Sequence, residues 1–117
     1  MSRLYNILNG IVSKITPSNQ FAIEEHTIAT NVSINGGGVY DGLSGTTVSK
    51  SGYYPLGIVG HKIVWVSGNT SYMTLTNLNL WGRTSGSAIV GVAVGNAGSA
   101  TGKINIVAVV LWAKNIS

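Results

Sequence analysis

The alternation of apolar and polar side chains predicts β-strands over most of the chain beyond residue 17. In residues 26–34 the two kinds of position alternate as they do in a half-buried strand. Loops rich in Gly, Ser and Asn separate the strand-like segments, which are residues 26–34, 46–50, 52–66, 71–81, 88–94 and 103–114. Strands at such short intervals are typical of antiparallel sandwiches. We therefore expect an all-β, antiparallel β-sandwich that is jelly-roll-like.

Two segments near the C-terminus carry apolar side chains on both faces. In residues 103–114, Ile104, Val110 and Trp112 share one face, and the opposite face is also apolar. A strand with one wet face should alternate, so these segments are expected to be covered on both sides. The cover would come from the N-terminal segment or from a neighbouring subunit. The predicted interface residues are Ile89, Ala93, Val107, Val109 and Leu111.

Proline and glycine predict irregularities within the strands. Pro55 has no backbone donor and therefore belongs at the start of a strand or on a sheet edge. Gly57 and Gly60 indicate a bulge, or a place where another backbone comes close. The apolar positions after residue 71 change parity near Asn77, which predicts a further bulge.

Two dipeptides before residue 46 have the composition of turns. They are Asp41-Gly42 and Ser44-Gly45. Residues 39–40 are therefore predicted to form a short edge strand that is separate from residues 46–50.

The N-terminal segment has a helical pattern. Its apolar residues recur at spacings of three and four and share one helical face; they are Leu4, Ile7, Leu8, Ile11 and Ile15. Pro17 would end such a helix. We expect a short amphipathic helix over residues 1–16, followed by a β-sandwich domain over residues 17–117. A strand is the open alternative, because Asn residues and Gly10 weaken the helical pattern.

The composition points to an assembly. Charged residues make up 9% of the chain, against roughly 25% in an average soluble domain, and the mean hydropathy is positive. No apolar run approaches the roughly 18 residues of a membrane span, so we expect no membrane insertion. So few charges protect a surface poorly against association, which favours a homo-oligomer. There is no cysteine, and residues 1–14 lack the pattern of a secretory signal.

The distribution of charge argues against nucleic-acid binding. The net charge is +4, and the chain beyond residue 42 carries basic residues but no acid. These basic residues are spread singly: Lys50, Lys62, Arg83, Lys103 and Lys114. A nucleic-acid surface would gather them into a stripe with stacking aromatics. We expect scattered solubilising charges and no nucleic-acid partner.

The titratable residues do not form a catalytic or metal-binding pattern. Glu24, Glu25 and His26 are consecutive, and neighbouring strand residues point to opposite faces, so they do not converge as metal ligands would. His61 lies in an apolar strand, where a hydrogen-bonded or exposed histidine is the ordinary interpretation. No spacing supports a catalytic triad, a carboxylate pair or a phosphate loop. We expect no catalytic residue, no metal, no cofactor and no enzymatic activity.

Aromatic side chains near loops and strand ends are the candidates for ligand binding. Sugar rings stack on such faces while Asn, Ser and Thr supply hydrogen bonds. The candidates, with one loop cation, are Tyr53, Tyr54, Trp65, Tyr72, Trp81 and Arg83. The competing interpretation is that each aromatic fills a core or an interface, which is the assignment we make for Trp112.

Three stretches together resemble a known class of domain. Residues 48–60 read Val-Ser-Lys-Ser-Gly-Tyr-Tyr-Pro-Leu-Gly-Ile-Val-Gly, residues 92–96 read Val-Ala-Val-Gly-Asn, and residues 107–114 read Val-Ala-Val-Val-Leu-Trp-Ala-Lys. This combination is similar to the C-terminal domains of phage and prophage tail proteins, over roughly residues 27 to 115. Ala108 departs from the closing pattern, which has Val there, and the N-terminal segment has no counterpart.

The resemblance implies a β-sandwich module of a tail fibre or baseplate that contributes to host-surface recognition and is usually trimeric. It implies other tail proteins and a host cell-surface glycan as partners. It also implies a virion or prophage origin, with synthesis in the bacterial cytoplasm without a signal peptide. The alternatives are a purely structural virion domain and a bacterial lectin-like carbohydrate-binding module.

Overall fold

The computed structural model describes residues 20–115, which form six long β-strands. The strands are β1 (Phe21–Ile34), β2 (Val39–Ser49), β3 (Tyr53–Gly68), β4 (Met73–Thr84), β5 (Ser87–Asn96) and β6 (Gly102–Lys114). Among these residues there is no helix of the length and apolar character that crossing a bilayer requires. The helix predicted for residues 1–16 and the boundary that follows it lie outside the described residues.

The strands form two three-stranded sheets. The first sheet has the order β1-β6-β3 and the second has the order β2-β5-β4. All four pairings are antiparallel. The chain changes sheet at every connection except the tight β4–β5 turn, so β6 and β5 become the two central strands. The predicted all-β, antiparallel architecture is confirmed, and the two sheets face each other in a sandwich-like arrangement.

The inner faces of the two sheets share one hydrophobic core. The central strands supply most of it, with Ile104, Ile106, Ala108, Val110 and Trp112 from β6 and Ala88, Val90, Val92 and Val94 from β5. Trp112 is the largest fully buried side chain. The predicted alternation is therefore correct for both strands, since every second residue points into this core. Each fully buried Ile or Val contributes roughly 1.5–3 kcal/mol to folding.

The irregularities predicted from proline and glycine are confirmed. Pro55 is buried in β3, which is an edge strand, so its missing donor removes no central ladder bond. The pairing of β3 with β6 shifts register between Pro55 and Gly57 and again between Ile58 and Gly60. The pairing of β4 with β5 shifts between residues 75 and 77, at the predicted bulge.

The predicted turns at residues 41–42 and 44–45 are wrong. The strand β2 is continuous from Val39 to Ser49, and the irregular stretch is a bulge between Gly42 and Thr46 in its pairing with β5. Gly45 has the turn-like φ of +94°. A turn composition can be accommodated inside a strand when both flanks pair with the same neighbour, because the extra residues bulge out of the ladder.

The strand β1 begins five residues earlier than predicted and is less regular. Its pairing with β6 shifts register between Thr27 and Ala29 and between Ala29 and Val32. Asn31 adopts a φ of 54°, and its backbone N–H donates to Asn105 Oδ1 at 2.8 Å. The predicted alternation therefore fails in the middle of this strand, where Thr30 is exposed.

The connections lie at the two ends of an elongated molecule that measures 56 × 34 × 19 Å. We call one end the loop end; it contains residues 35–38, 69–72 and 97–101. We call the other the hairpin end; it contains residues 50–52 and 85–86. Backbone hydrogen bonds join the two turns of the hairpin end, from Lys50 N to Gly86 O and from Gly86 N to Tyr53 O.

Candidate functional site

The six residues predicted to bind a ligand do not converge on one site. Trp65 and Tyr72 lie at the loop end, near the last residues of β3 and just before β4. The other four lie towards the hairpin end, namely Tyr53, Tyr54, Trp81 and Arg83. The strand β3 alone separates Tyr54 from Trp65 by eleven residues, which is roughly 35 Å of extended chain.

The aromatic residues of the hairpin end face different surfaces. Tyr54 pairs with Ala113 and points outward from the first sheet, whereas Trp81 pairs with Ile89 on the outer face of the second sheet. Tyr53 packs against the core, and the Lys50 Nζ atom lies 4.6 Å from the centre of its ring. These side chains therefore cannot line a common binding surface.

Trp81 covers the outer face of β5. A Cβ atom placed on Gly91 would lie 2.7 Å from Trp81 Cζ3 and 2.9 Å from the Leu43 carbonyl oxygen. A Cβ atom on Gly45 would lie 3.0 Å from Trp81 Cη2. The indole and the β2 bulge thus lie directly against β5 at Gly91, which is buried, as is Ala93 farther along the strand. The apolar outer face of β5, which suggested an interface through Ile89 and Ala93, is covered by its own chain.

This arrangement predicts different roles for two tryptophans. Trp81 is 38% exposed and Trp65 is 64% exposed. With roughly 200 Å² for the part of a tryptophan that alanine lacks and about 25 cal/mol per Å², Trp81→Ala should lower the free energy of unfolding by about 3 kcal/mol. The same estimate for Trp65→Ala is about 1–2 kcal/mol. Chemical denaturation of both variants measures the difference, and an equal loss would contradict the covering role of Trp81.

The loop end is organised around one buried polar side chain. Asn96 is 3% exposed and is the one buried polar residue among those described. Its Nδ2 donates to Ile34 O at 3.0 Å and to Ala100 O at 2.9 Å, while its Oδ1 accepts from Gly98 N at 3.0 Å. One amide thereby joins the end of β1 to both sides of the β5–β6 loop. The sequence reasoning missed this residue, although an Asn that ends an apolar strand before Ala-Gly-Ser is a signal for such a loop.

Backbone contacts tie the remaining loop to the same point. Asn96 exchanges backbone hydrogen bonds with the β1–β2 turn, from Gly37 N at 2.8 Å and to Gly38 O at 2.9 Å. The β3–β4 loop joins through the bond from Ala97 N to the Tyr72 carbonyl at 3.1 Å. All three loops are therefore held in one hydrogen-bonded unit.

Two aromatic rings lie at the loop end, Tyr72 in the β3–β4 loop and Trp65 near the end of β3. Trp65 is anchored by its indole N–H, which donates to Gly68 O at 2.9 Å, and most of the ring is exposed. Tyr72 is 61% exposed, and a Cβ atom on Gly98 would lie 3.0 Å from its Cδ2, so the ring rests on the β5–β6 loop. The loops of the same end carry exposed Asn, Ser and Thr side chains, namely Asn35, Asn69, Ser71, Ser99 and Thr101.

A polar cluster lies between the edge strands β1 and β2. Lys50 Nζ contacts Glu24 Oε2 at 2.8 Å, and this hydrogen bond raises the pKa of Lys50 above its usual 10.5. The Trp112 indole N–H donates to His26 Nε2 at 3.2 Å, and Glu24 Oε1 lies 3.3 Å from the same nitrogen. A fully buried indole N–H needs an acceptor, and the His26 ring supplies one to Trp112. Glu24 and His26 thus share a face as alternate residues, whereas Glu25 points the other way.

The described residues offer little to chemistry that needs a cavity or a metal. No three His, Asp or Glu side chains among them are placed to hold a metal ion, and residues 20–115 enclose no pocket. His61 is exposed. What the arrangement supplies is a pair of anchored aromatic faces beside polar loops.

Comparison of the chain with family models, with curated proteins and with solved structures gave no match.

Proposed function

We propose that this chain is a trimeric head domain of a phage tail fibre or baseplate, and that its loop end contributes to recognition of a host cell-surface glycan. The observation that carries the proposal is a pair of exposed rings at the loop end, Trp65 near the end of β3 and Tyr72 in the β3–β4 loop, beside loops that hydrogen bonds of Asn96 and Ala97 hold together. In this role the chain resides in the virion, and its partners are copies of itself, other tail proteins and the glycan.

The chemistry of the loop end suits sugars. The apolar face of a pyranose ring stacks on an aromatic ring, and its hydroxyl groups pair with the amide and hydroxyl side chains nearby. The loops are joined by hydrogen bonds before any ligand arrives, so little ordering entropy is lost on binding. The site is flat, so one copy binds weakly, and three linked copies raise the affinity through effective concentration.

The strand order supports the jelly-roll part of the proposal. In an eight-stranded jelly roll, the two sheets are built from two interleaved Greek keys. The orders β1-β6-β3 and β2-β5-β4 correspond to that arrangement with one edge strand missing from each sheet. We propose that the domain is a reduced jelly roll of six strands, which a solved structure of the protein would test.

The decisive experiment is glycan binding by variants of the loop end. We expect the wild type to bind a subset of an array of bacterial surface glycans and to bind whole host cells. Trp65→Ala and Tyr72→Ala should each weaken binding about tenfold, since an aromatic contact contributes roughly 1–1.5 kcal/mol. The matched control is Trp81→Phe, which keeps an aromatic ring over β5 at the other end and should bind as the wild type does.

The competing functions give different results in the same experiment. If the folded wild type binds neither the array nor cells of any candidate host, the domain is a purely structural virion component. If it binds glycan and its gene lies outside a tail gene cluster, it is a bacterial lectin-like module. If Trp81→Phe loses binding and Trp65→Ala does not, the loop end is the wrong surface.

A further inference from the structure

The outer face of the first sheet is covered over only part of its length. Glu25 and Lys62 pair with Val109 and Val107 from the two sides of β6, and their charged ends meet at 2.5 Å above it. This ion pair lies over Val107, which is buried. On the hairpin-end side of the ion pair, the outward residues of β6 have no such cover.

An apolar surface occupies that uncovered half. It contains five exposed large hydrophobic side chains, which we call the hairpin-end patch: Phe21, Ile23, Tyr54, Leu56 and Val59. Phe21 and Ile23 pair with the outward positions of β6, and Leu56 and Val59 are the extra residues of the two β3 bulges. Half-buried Val109 and Leu111 form the floor between them.

Gly57 makes the patch flat at one point, and the chain itself does not require a glycine there. Its φ lies outside the left-handed region, and a Cβ atom placed on it would meet no described atom within 4 Å. Gly91 and Gly102, by contrast, are needed because neighbouring atoms occupy the space of a side chain. A strand glycine without an internal reason suits the close approach of a neighbouring molecule.

The area of the patch fits an interface between proteins. With roughly 200 Å² for a fully exposed large side chain, the five side chains present about 500 Å². Typical monomers have a largest apolar patch of roughly 300–600 Å², often functional. A standard interface takes about 800 Å² from each partner. The floor residues and the adjoining ion pair add further area to the roughly 500 Å² of the five side chains.

We propose that the hairpin-end patch is the surface through which copies of this chain pack against one another, with the flat strip at Gly57 receiving protruding side chains of a neighbouring copy. The patch contains both the flat strip and the side chains that would fill the strip of a neighbouring copy, since Ile23 and Val59 are exposed beside it. The inference rests on the trimer of the proposed function and assigns it to the first sheet. It leaves the loop ends of all copies free to bind.

Two matched pairs of variants test the assignment. Ile23→Lys introduces a charge into the patch, and Val39→Lys introduces it on the outer face of the second sheet, where the exposure is 66% against 68% at Ile23. Gly57→Arg fills the flat strip, and Gly95→Arg places the same side chain on the second sheet, where a Cβ atom meets Thr76 only at 3.7 Å. Sedimentation velocity at micromolar concentration gives the mass of each, and circular dichroism shows that it is folded.

We expect the wild type, Val39→Lys and Gly95→Arg to sediment as trimers, and Ile23→Lys and Gly57→Arg to sediment as folded monomers. A monomeric wild type overturns the inference, as do patch variants that still assemble or second-sheet variants that dissociate equally. If Gly57→Arg does not fold, Ile23→Lys decides alone. A wild type that binds glycan as a monomer overturns the proposed interface but leaves the recognition role standing. A trimer that binds no glycan overturns the recognition role but leaves the interface standing.

Discussion

Replacing Asn96 with alanine is expected to lower the melting temperature by roughly 12–24 °C. The substitution removes three hydrogen bonds and leaves Ile34 O, Ala100 O and Gly98 N without their partner. At about 1 kcal/mol for each bond, the loss is roughly 3 kcal/mol. In a domain of about 100 residues, each kcal/mol lowers the melting temperature by about 4–8 °C. Thermal unfolding followed by circular dichroism measures the change.

Two further substitutions show whether the effect comes from the buried amide. Asn105→Ala is the matched control, because it removes one exposed hydrogen bond, to Asn31 N, and should lower the melting temperature by about 5 °C or less. Asn96→Asp keeps the shape but turns an oxygen towards two carbonyl groups, so its loss should be at least as large as that of Asn96→Ala. Equal changes at residues 96 and 105 would mean that water replaces the amide without penalty.

The same asparagine shows where sequence reasoning is strong and where it stops. Local patterns located five of the six strands and the bulges at Gly57, Gly60 and residue 77, because side-chain parity and missing donors act within a few residues. They did not reveal which strands become neighbours. The hydrogen bond from Asn96 to Ile34 spans 62 residues, and no local pattern encodes that distance.

Long-range contacts also explain why the candidate site was predicted only in part. Four of the five aromatic candidates are exposed, including Trp65 and Tyr72, and Tyr53 is half-buried. The pattern could not separate them from Trp81, because a ring that covers a glycine backbone on its own sheet has the same sequence signature. Likewise, a strand with apolar side chains on both faces indicates that both faces are covered. It does not indicate whether the same chain or another copy covers them.

Replacing a glycine with alanine is expected to have opposite effects on stability at Gly102 and at Gly57. Gly102→Ala should lower the free energy of unfolding by about 1–3 kcal/mol, because overpacking a buried site has that cost. Its Cβ atom would lie 2.3 Å from the Asn69 carbonyl oxygen and 2.7 Å from Met73 Cε. The oxygen belongs to the backbone of the β3–β4 loop, so relief requires that loop to separate from β6 and from the hydrogen-bonded unit around it.

Gly57→Ala should leave stability unchanged or raise it by about 0.4–1 kcal/mol, because the folded chain has room for the methyl group and the unfolded chain loses backbone freedom. Chemical denaturation of both variants at two protein concentrations makes the comparison, since a change that arises from assembly depends on concentration whereas a change in the fold of one copy does not. A destabilisation by Gly57→Ala that is independent of concentration would mean that the strand itself needs this glycine. The argument that its flat surface serves a neighbouring copy would then fail, and the strain argument for Gly102 would still stand on its own contact with Asn69.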